Sequence, residues 1–125
     1  MYKRQYVTLG QPLSALSSGE VQRLQLSQAL GRSAERTLFV LDEPTTGLHP
    51  ADIDVLVGCL DRVIERGGSV IAVEHNLDVI RQADYVIDLG PEGGPGGGEL
   101  VACGTPSAVA RCARSLTGAA LRGRR

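Results

Sequence analysis

Leu38-Phe39-Val40-Leu41-Asp42-Glu43-Pro44-Thr45-Thr46-Gly47 is an apolar run that meets two carboxylates and is then stopped by a proline. Its uninterrupted apolar character predicts a strand buried on both faces, as inside a parallel sheet. Acids at the carboxyl end of such a strand lie where open α/β sheets bind their ligands. A hard cation such as Mg²⁺ takes oxygen ligands, and one carboxylate plus phosphates is a common way to hold it. The second carboxylate is placed to orient or polarise a water. Taken alone, a buried strand ending in two surface acids explains the pattern equally well.

Helical signals stand on both sides of this stretch. Upstream, Ser17 with Glu20 three residues later reads as a capping box, the hydroxyl and the carboxylate each taking an amide of the helix start. Val21, Leu24, Gln25 and Gln28 fall on adjacent turns, with Leu26, Ala29 and Leu30 widening the apolar stripe, and Gly31 reads as the C′ residue. Downstream, His49-Pro50 opens a second helix with proline in its first turn. Its Ile53, Leu56, Val57, Leu60, Val63 and Ile64 follow the spacing of one packed face, and Gly67-Gly68 ends it. Ser69 to Val73 predicts a short strand running into Glu74-His75, and Asn76 caps a brief helix to about Gln82. Tyr85 to Leu89 predicts a third strand and Gly90 to Gly98 a loop. A final short strand at Glu99 to Cys103 and a last helix from about Ser107 to Arg114 complete the pattern. Helices and strands in alternation predict an α/β layer with parallel strands and helices flanking them. No repeat and no interdomain linker is visible.

Composition narrows the functional classes. The 125 residues are 42% hydrophobic and 22% charged, ordinary for a globular domain with a real core. Aromatic residues make up 3% and tryptophan is absent, so aliphatic side chains must build that core. A net charge of −1 offers no electrostatic footprint for nucleic acid. Only Arg122-Gly123-Arg124-Arg125 is locally basic, and it reads as a solvated terminus. Cys59, Cys103 and Cys112 contain no C-x-x-C pair, so free and mostly buried thiols are expected, with neither a disulfide framework nor a zinc site. No segment is long and apolar enough for a signal peptide or a membrane span, and a cytoplasmic location is the expectation.

Two other features are ambiguous singly. A serine hydroxyl beside the amides of a helix start is both a plain cap and a ready anion site. His75, after an apolar strand, reads either as a hydrogen-bonded core histidine or as a side chain reaching a terminal phosphate. In order, however, the chain shows Leu16-Ser17-Ser18-Gly19-Glu20 before a helix, a strand ending in Asp42-Glu43, then Gly47, then a strand leading to His75. In that order the chain resembles the ATP-binding-cassette (ABC) ATPases, a P-loop NTPase family. The first element looks like the signature motif, the second like Walker B with its glutamate, Thr45 to His49 like the D-loop, and His75 like the switch histidine. Asp42 to His49, Glu74 to Ile80, and Asp88 to Gly94 followed by Gly96 to Glu99 are similar to the subunit-A family of the UvrABC excinucleases. The likeness runs from about Leu9 to the C-terminal region, matching that family's second nucleotide-binding domain. Residues 1–125 would then be the C-terminal portion of such a domain.

The resemblance implies a site. Asp42 would hold the Mg²⁺ of bound ATP, through water, and Glu43 would orient and deprotonate the attacking water. His75 would contact the γ-phosphate and sense its loss. Ser17, Ser18, Gly19 and Glu20 would face a nucleotide on an opposing cassette, and Gly47 would serve the D-loop. It also implies partners: damaged double-stranded DNA, a UvrB-like protein and a second copy of the full protein, with no membrane. Zinc is expected only in other parts of such a protein. Two departures stand out. Serine occupies position 18 where the family has glycine, and these 125 residues contain no G-x-x-x-x-G-K-[ST]. The chain alone is therefore expected to bind ATP weakly and not to turn it over. The alternatives are a related protein acting against DNA-intercalating drugs and a noncatalytic fragment, while the Gly47-Leu48-His49 match disfavours a transporter cassette.

Overall fold

A computed structural model describes residues 18–30, 35–90 and 97–123. The chain divides into two compact units between Val73 and Glu74. The α/β class read from the sequence is what the structure contains.

The first unit holds helix α1 (Ser18–Leu30), strand β1 (Leu38–Asp42), helix α2 (Pro50–Glu65) and strand β2 (Ser69–Val73). β1 and β2 run parallel, with Leu38 opposite Ser69 and Asp42 opposite Val73. Helix α2 forms as its signals require. The His49 ring accepts the Ala51 N–H through Nδ1 at 3.2 Å, and Pro50 occupies the first turn where no amide partner is needed. Arg66 caps the other end. Gly67, at φ 83, donates to the Ile64 carbonyl at 2.9 Å, and Gly68 donates to Val63 at 3.0 Å. This is the Schellman pattern, and only glycine adopts the left-handed position without strain.

Ile53, Leu56, Val57, Leu60 and Val63 are buried along α2. Ile64, expected on the same face, is 42% exposed, because it lies about 100° round the helix from Val63. Leu26, buried on α1, joins Leu41, Leu56, Leu60 and Val63 in one core, against which Phe39, Val70 and Ala72 pack. The expectation that β1 is buried on both faces fails here. Both helices cover the face of Phe39 and Leu41, whereas on the other face Leu38, Val40, Ile71 and Val73 are 56%, 67%, 53% and 57% exposed. Ser17, the proposed cap of α1, and Gly31, its proposed C′ residue, lie outside the described residues.

The second unit holds α3 (Leu77–Ile80), β3 (Val86–Gly90), β4 (Glu99–Gly104), α4 (Pro106–Arg111) and α5 (Leu116–Gly123). Asn76 caps α3 as expected, its Oδ1 accepting the Asp78 N–H at 2.9 Å. β3 is not a further parallel strand. It pairs antiparallel with β4, with an irregularity in register between Asp88 and Leu89. Residues 91 to 98 join the two strands, too few for the crossover that a parallel pair demands. The loop residues 91–96 lie outside the described part.

The last helix also differs from expectation. It stops at Arg111, and a second helix, α5, follows. Arg122 is therefore part of a helix rather than of a loose basic end, and its guanidinium donates to the Ala110 carbonyl. Ser115 caps α5. Its hydroxyl donates to Asp88 Oδ2 at 2.5 Å and accepts the Gly118 N–H at 2.7 Å, while Thr117 donates to Asp88 Oδ1 at 2.8 Å. One carboxylate on β3 thus ties down the start of α5. The three cysteines are free thiols, but Cys103 is exposed, against the expectation of mostly buried ones.

Candidate functional site

The carboxyl end of β1 turns sharply into α2, and the candidate acids lie on that turn. The β1–β2 pairing continues one residue past the strand, with the Glu43 N–H donating to the Val73 carbonyl at 2.9 Å. Glu43 itself has φ 44, a left-handed backbone rare for a side chain of its size. Such a conformation costs about 1–3 kcal/mol and persists where the surroundings enforce it.

The surroundings here are specific. Pro44 is fully buried, and its carbonyl accepts a hydrogen bond from Arg23 Nη1 on α1 at 3.3 Å. The Thr46 N–H closes the turn onto the Glu43 carbonyl at 3.0 Å, and the Thr46 hydroxyl donates to Glu43 Oε2 at 3.2 Å. Gly47 follows at φ 74, where a side chain would be strained although there is space for it. The Leu48 N–H then bonds the Thr45 carbonyl at 3.0 Å, and His49 starts α2.

Asp42 and Glu43 are both exposed at the end of the sheet, and Gly47 belongs to the same turn. Among the described residues no group of three His, Cys, Asp or Glu side chains could hold a metal ion. A single exposed carboxylate such as that of Asp42 is the kind of oxygen donor that, with phosphate oxygens and water, commonly holds Mg²⁺. Ser17 lies outside the described residues. Ser18 is the first residue of α1, so its backbone is helical, and the left-handed freedom of glycine is not called upon there. Gly19 is helical too, and Glu20, half-buried, sits in the first turn where a carboxylate favours the helix dipole.

His75 belongs to the second unit. Its side chain is exposed, which removes the reading of a core histidine. The half-buried Glu74 carboxylate accepts the N–H groups of both His75 and Asn76 at 3.2 Å, and Asn76 then caps α3. Farther along this unit, Tyr85 lies against Cys103, and a hydrogen bond to the Cys103 sulfur, with repulsion from negative charge there, pushes the phenol above its ordinary range.

Thr46, Arg23 and Glu74 were not singled out from the sequence. Thr46 carried a weak signal, a hydroxyl three residues after an acid at a turn. Arg23 carried none, because its partner is a carbonyl 21 positions away.

Residues 8–81 match the family model described as "AAA domain, putative AbiEii toxin, Type IV TA system". The chain belongs to this AAA-domain family. Curated relatives of the chain include proteins named UvrABC system protein A. The protein of that name from Micrococcus luteus is 59% identical over 114 residues, 90% of this chain and 12% of the relative. The one from Lactiplantibacillus plantarum is 55% identical with the same coverage, and that from Streptococcus mutans is 54% identical over 120 residues, 95% of this chain and 13% of the relative. A crystal structure of UvrA2 from Deinococcus radiodurans matches with a TM-score of 0.85 and 51% identity, covering 94% of this chain and 14% of that one. The resemblance read from the motifs is thus borne out, as is the α/β nucleotide-hydrolase fold. This AAA-domain chain spans about an eighth of the length of the curated relatives it matches. No helix among its described residues is long and apolar enough to cross a membrane.

Proposed function

We propose that this chain is the C-terminal part of the second nucleotide-binding cassette of a UvrA-like ATPase that acts in nucleotide excision repair. The observation that carries the reading is the Asp42–Gly47 turn, two adjacent exposed acids at the end of a parallel strand, in a chain 54–59% identical to its curated relatives. Asp42 holds Mg²⁺ through water. Bound there, the cation neutralises charge on the phosphate oxygens. Glu43 orients the attacking water and takes its proton, and His75 contacts the γ-phosphate. Ser17, Ser18, Gly19 and Glu20 face the nucleotide of an opposing cassette, and Gly47 shapes the D-loop beside it. Phosphoryl transfer depends chiefly on positioning and charge stabilisation, so these groups need accurate places more than unusual reactivity.

The full protein works in the cytoplasm as a dimer, binds damaged double-stranded DNA, and loads a UvrB-like partner. Support for the DNA role is similarity alone, since the charge of this chain does not supply it. Two measurements test the reading. Isothermal titration of the 125-residue chain with Mg·ATP should show very weak binding, and micromolar affinity would contradict it. When the chain replaces the matching residues of the Micrococcus luteus relative, E43Q should lower ATP turnover by about 10²–10⁴-fold while ATP still binds. Equal turnover with and without the substitution removes Glu43 from the chemistry.

A further inference from the structure

The net charge of −1 conceals a segregation of charge along the chain. Of the 13 basic residues, Arg111, Arg114, Arg122, Arg124 and Arg125 follow Glu99, and no acidic residue does. The other eight stand before Glu99, among all 14 acidic residues. Arg124 and Arg125 lie outside the described residues. The remaining three are exposed on the α4–α5 hairpin. Arg111 ends α4, Arg114 stands in the turn, and Arg122 returns from α5 to donate to the Ala110 carbonyl beside Arg111. We propose that this hairpin turn is a docking surface for an acidic segment of another protein, one that carries an apolar side chain among its carboxylates. The proposal is independent of the hydrolytic reading of Asp42, Glu43 and His75.

Three observations select that occupant. Among the described residues no ion pair holds Arg111, Arg114 or Arg122, so like charges gather without compensation. Asp88, the carboxylate that reaches this hairpin, has its two oxygens engaged by the Ser115 and Thr117 hydroxyls. Such a cluster repels itself, and a partner's carboxylates relieve the repulsion. The cations here are all arginine, the type enriched at protein interfaces where lysine is depleted. Its planar fork grips a carboxylate through two bonds at once. Leu116, two residues after Arg114, is 74% exposed, the most of any large apolar side chain among the described residues. It opens α5, where the Ser115 cap fixes its backbone. Either feature alone is ordinary on a surface. Together they fit a partner that brings carboxylates and apolar surface in one segment, whereas a phosphate backbone has no use for the leucine. Ala113, Ala119 and Ala120 are also exposed on the hairpin, and their small side chains leave room for close approach.

Fluorescence anisotropy with a labelled peptide repeating Glu-Glu-Leu tests it, on the 125-residue chain and on the full-length hybrid with the Micrococcus luteus relative. Both should bind the peptide, more weakly as salt rises. R111Q combined with R114Q should weaken binding about three- to tenfold at low salt, and Leu116→Ser about tenfold. R36Q combined with R62Q removes the same charge from the first unit and should leave binding unchanged. All these positions are exposed, so thermal unfolding of each variant should match wild type. A chain that takes no peptide overturns the proposal, as does equal binding by R111Q/R114Q or by L116S. A short DNA duplex bound more tightly than the peptide at the same salt also overturns it, assigning the arginines to phosphate. So does a peptide of glutamate alone that binds as well as the Glu-Glu-Leu repeat. Binding by the 125-residue chain but not by the hybrid overturns it too, since the surface would then be covered by the rest of the same polypeptide.

Discussion

Gly118→Ala should destabilise the second unit although alanine is the better helix former. Gly118 is buried on α5 and faces the carbonyl of Val109 on α4. A Cβ placed there would lie 2.3 Å from that oxygen, 3.0 Å from Ser115 Oγ and 3.1 Å from Ser115 Cβ. Carbon and carbonyl oxygen ordinarily approach no closer than about 3.3 Å, so the helices would have to part by about 1 Å. The obstacle is backbone and cannot swing aside. Retreat of α5 would also strain the Ser115 cap and the two hydroxyl bonds to Asp88, at 2.7, 2.5 and 2.8 Å.

Overpacking of this kind costs about 1–3 kcal/mol, and loss of a cap adds about 1 kcal/mol. The helix propensity of alanine returns at most about 1 kcal/mol. The balance is about 1–3 kcal/mol of destabilisation, or a fall of roughly 5–20 °C in Tm for a unit of this size. Thermal unfolding followed by circular dichroism measures it, and amide exchange should show protection lost in α4 and α5. Gly123→Ala, where a Cβ meets nothing within 4 Å, is the matched control and should be close to neutral. A G118A chain that melts at or above the wild-type temperature would refute the close-approach argument.

Other outcomes follow from the same structure. Ser115→Ala removes the α5 cap and one donor to Asp88 from a site 1% exposed, and should cost about 2 kcal/mol in urea unfolding; a change under half of that would show the Asp88 tie to be unimportant. The uncovered apolar face of β1 and β2 should make the isolated chain self-associate. Val40→Thr with Ile71→Thr should reduce the association in sedimentation velocity, and a wild-type chain that stays monomeric at high concentration would contradict this. The Cys103 thiol raises the Tyr85 pKa, so the phenol keeps its proton to higher pH than an ordinary tyrosine. Absorbance titration should show the Tyr85 phenol ionising late, and Cys103→Ala should move that ionisation to lower pH.

How much of this was legible beforehand depends on the range of the interactions involved. Helix α2 could be read to its ends, because a histidine cap, a proline in the first turn and a glycine pair after the last one are all local signals. So could α3, from the reach of Asn76 to the amide two residues on. The pairing of β3 was not legible, since direction depends on what the connecting loop can span. Alternating helix and strand signals suggested another parallel strand, yet residues 91 to 98 are too few to cross over. Helix α5 escaped because its anchor is Asp88, 27 positions before Ser115, and no local window contains both.

The candidate site divides along the same line. Sequence alone determined which acids end β1, that a turn follows them, and which family the motif order resembles, because residue type and short spacing carry that information. Tertiary structure alone decided that Glu43 is left-handed, that Arg23 reaches across from α1 to hold the Pro44 carbonyl, and that one face of β1 stays uncovered. Those facts come from elements packing together, and the free energy of packing is set by partners distant in the chain. A local pattern can therefore identify a carboxylate as a candidate base, but only the fold can say what holds it still.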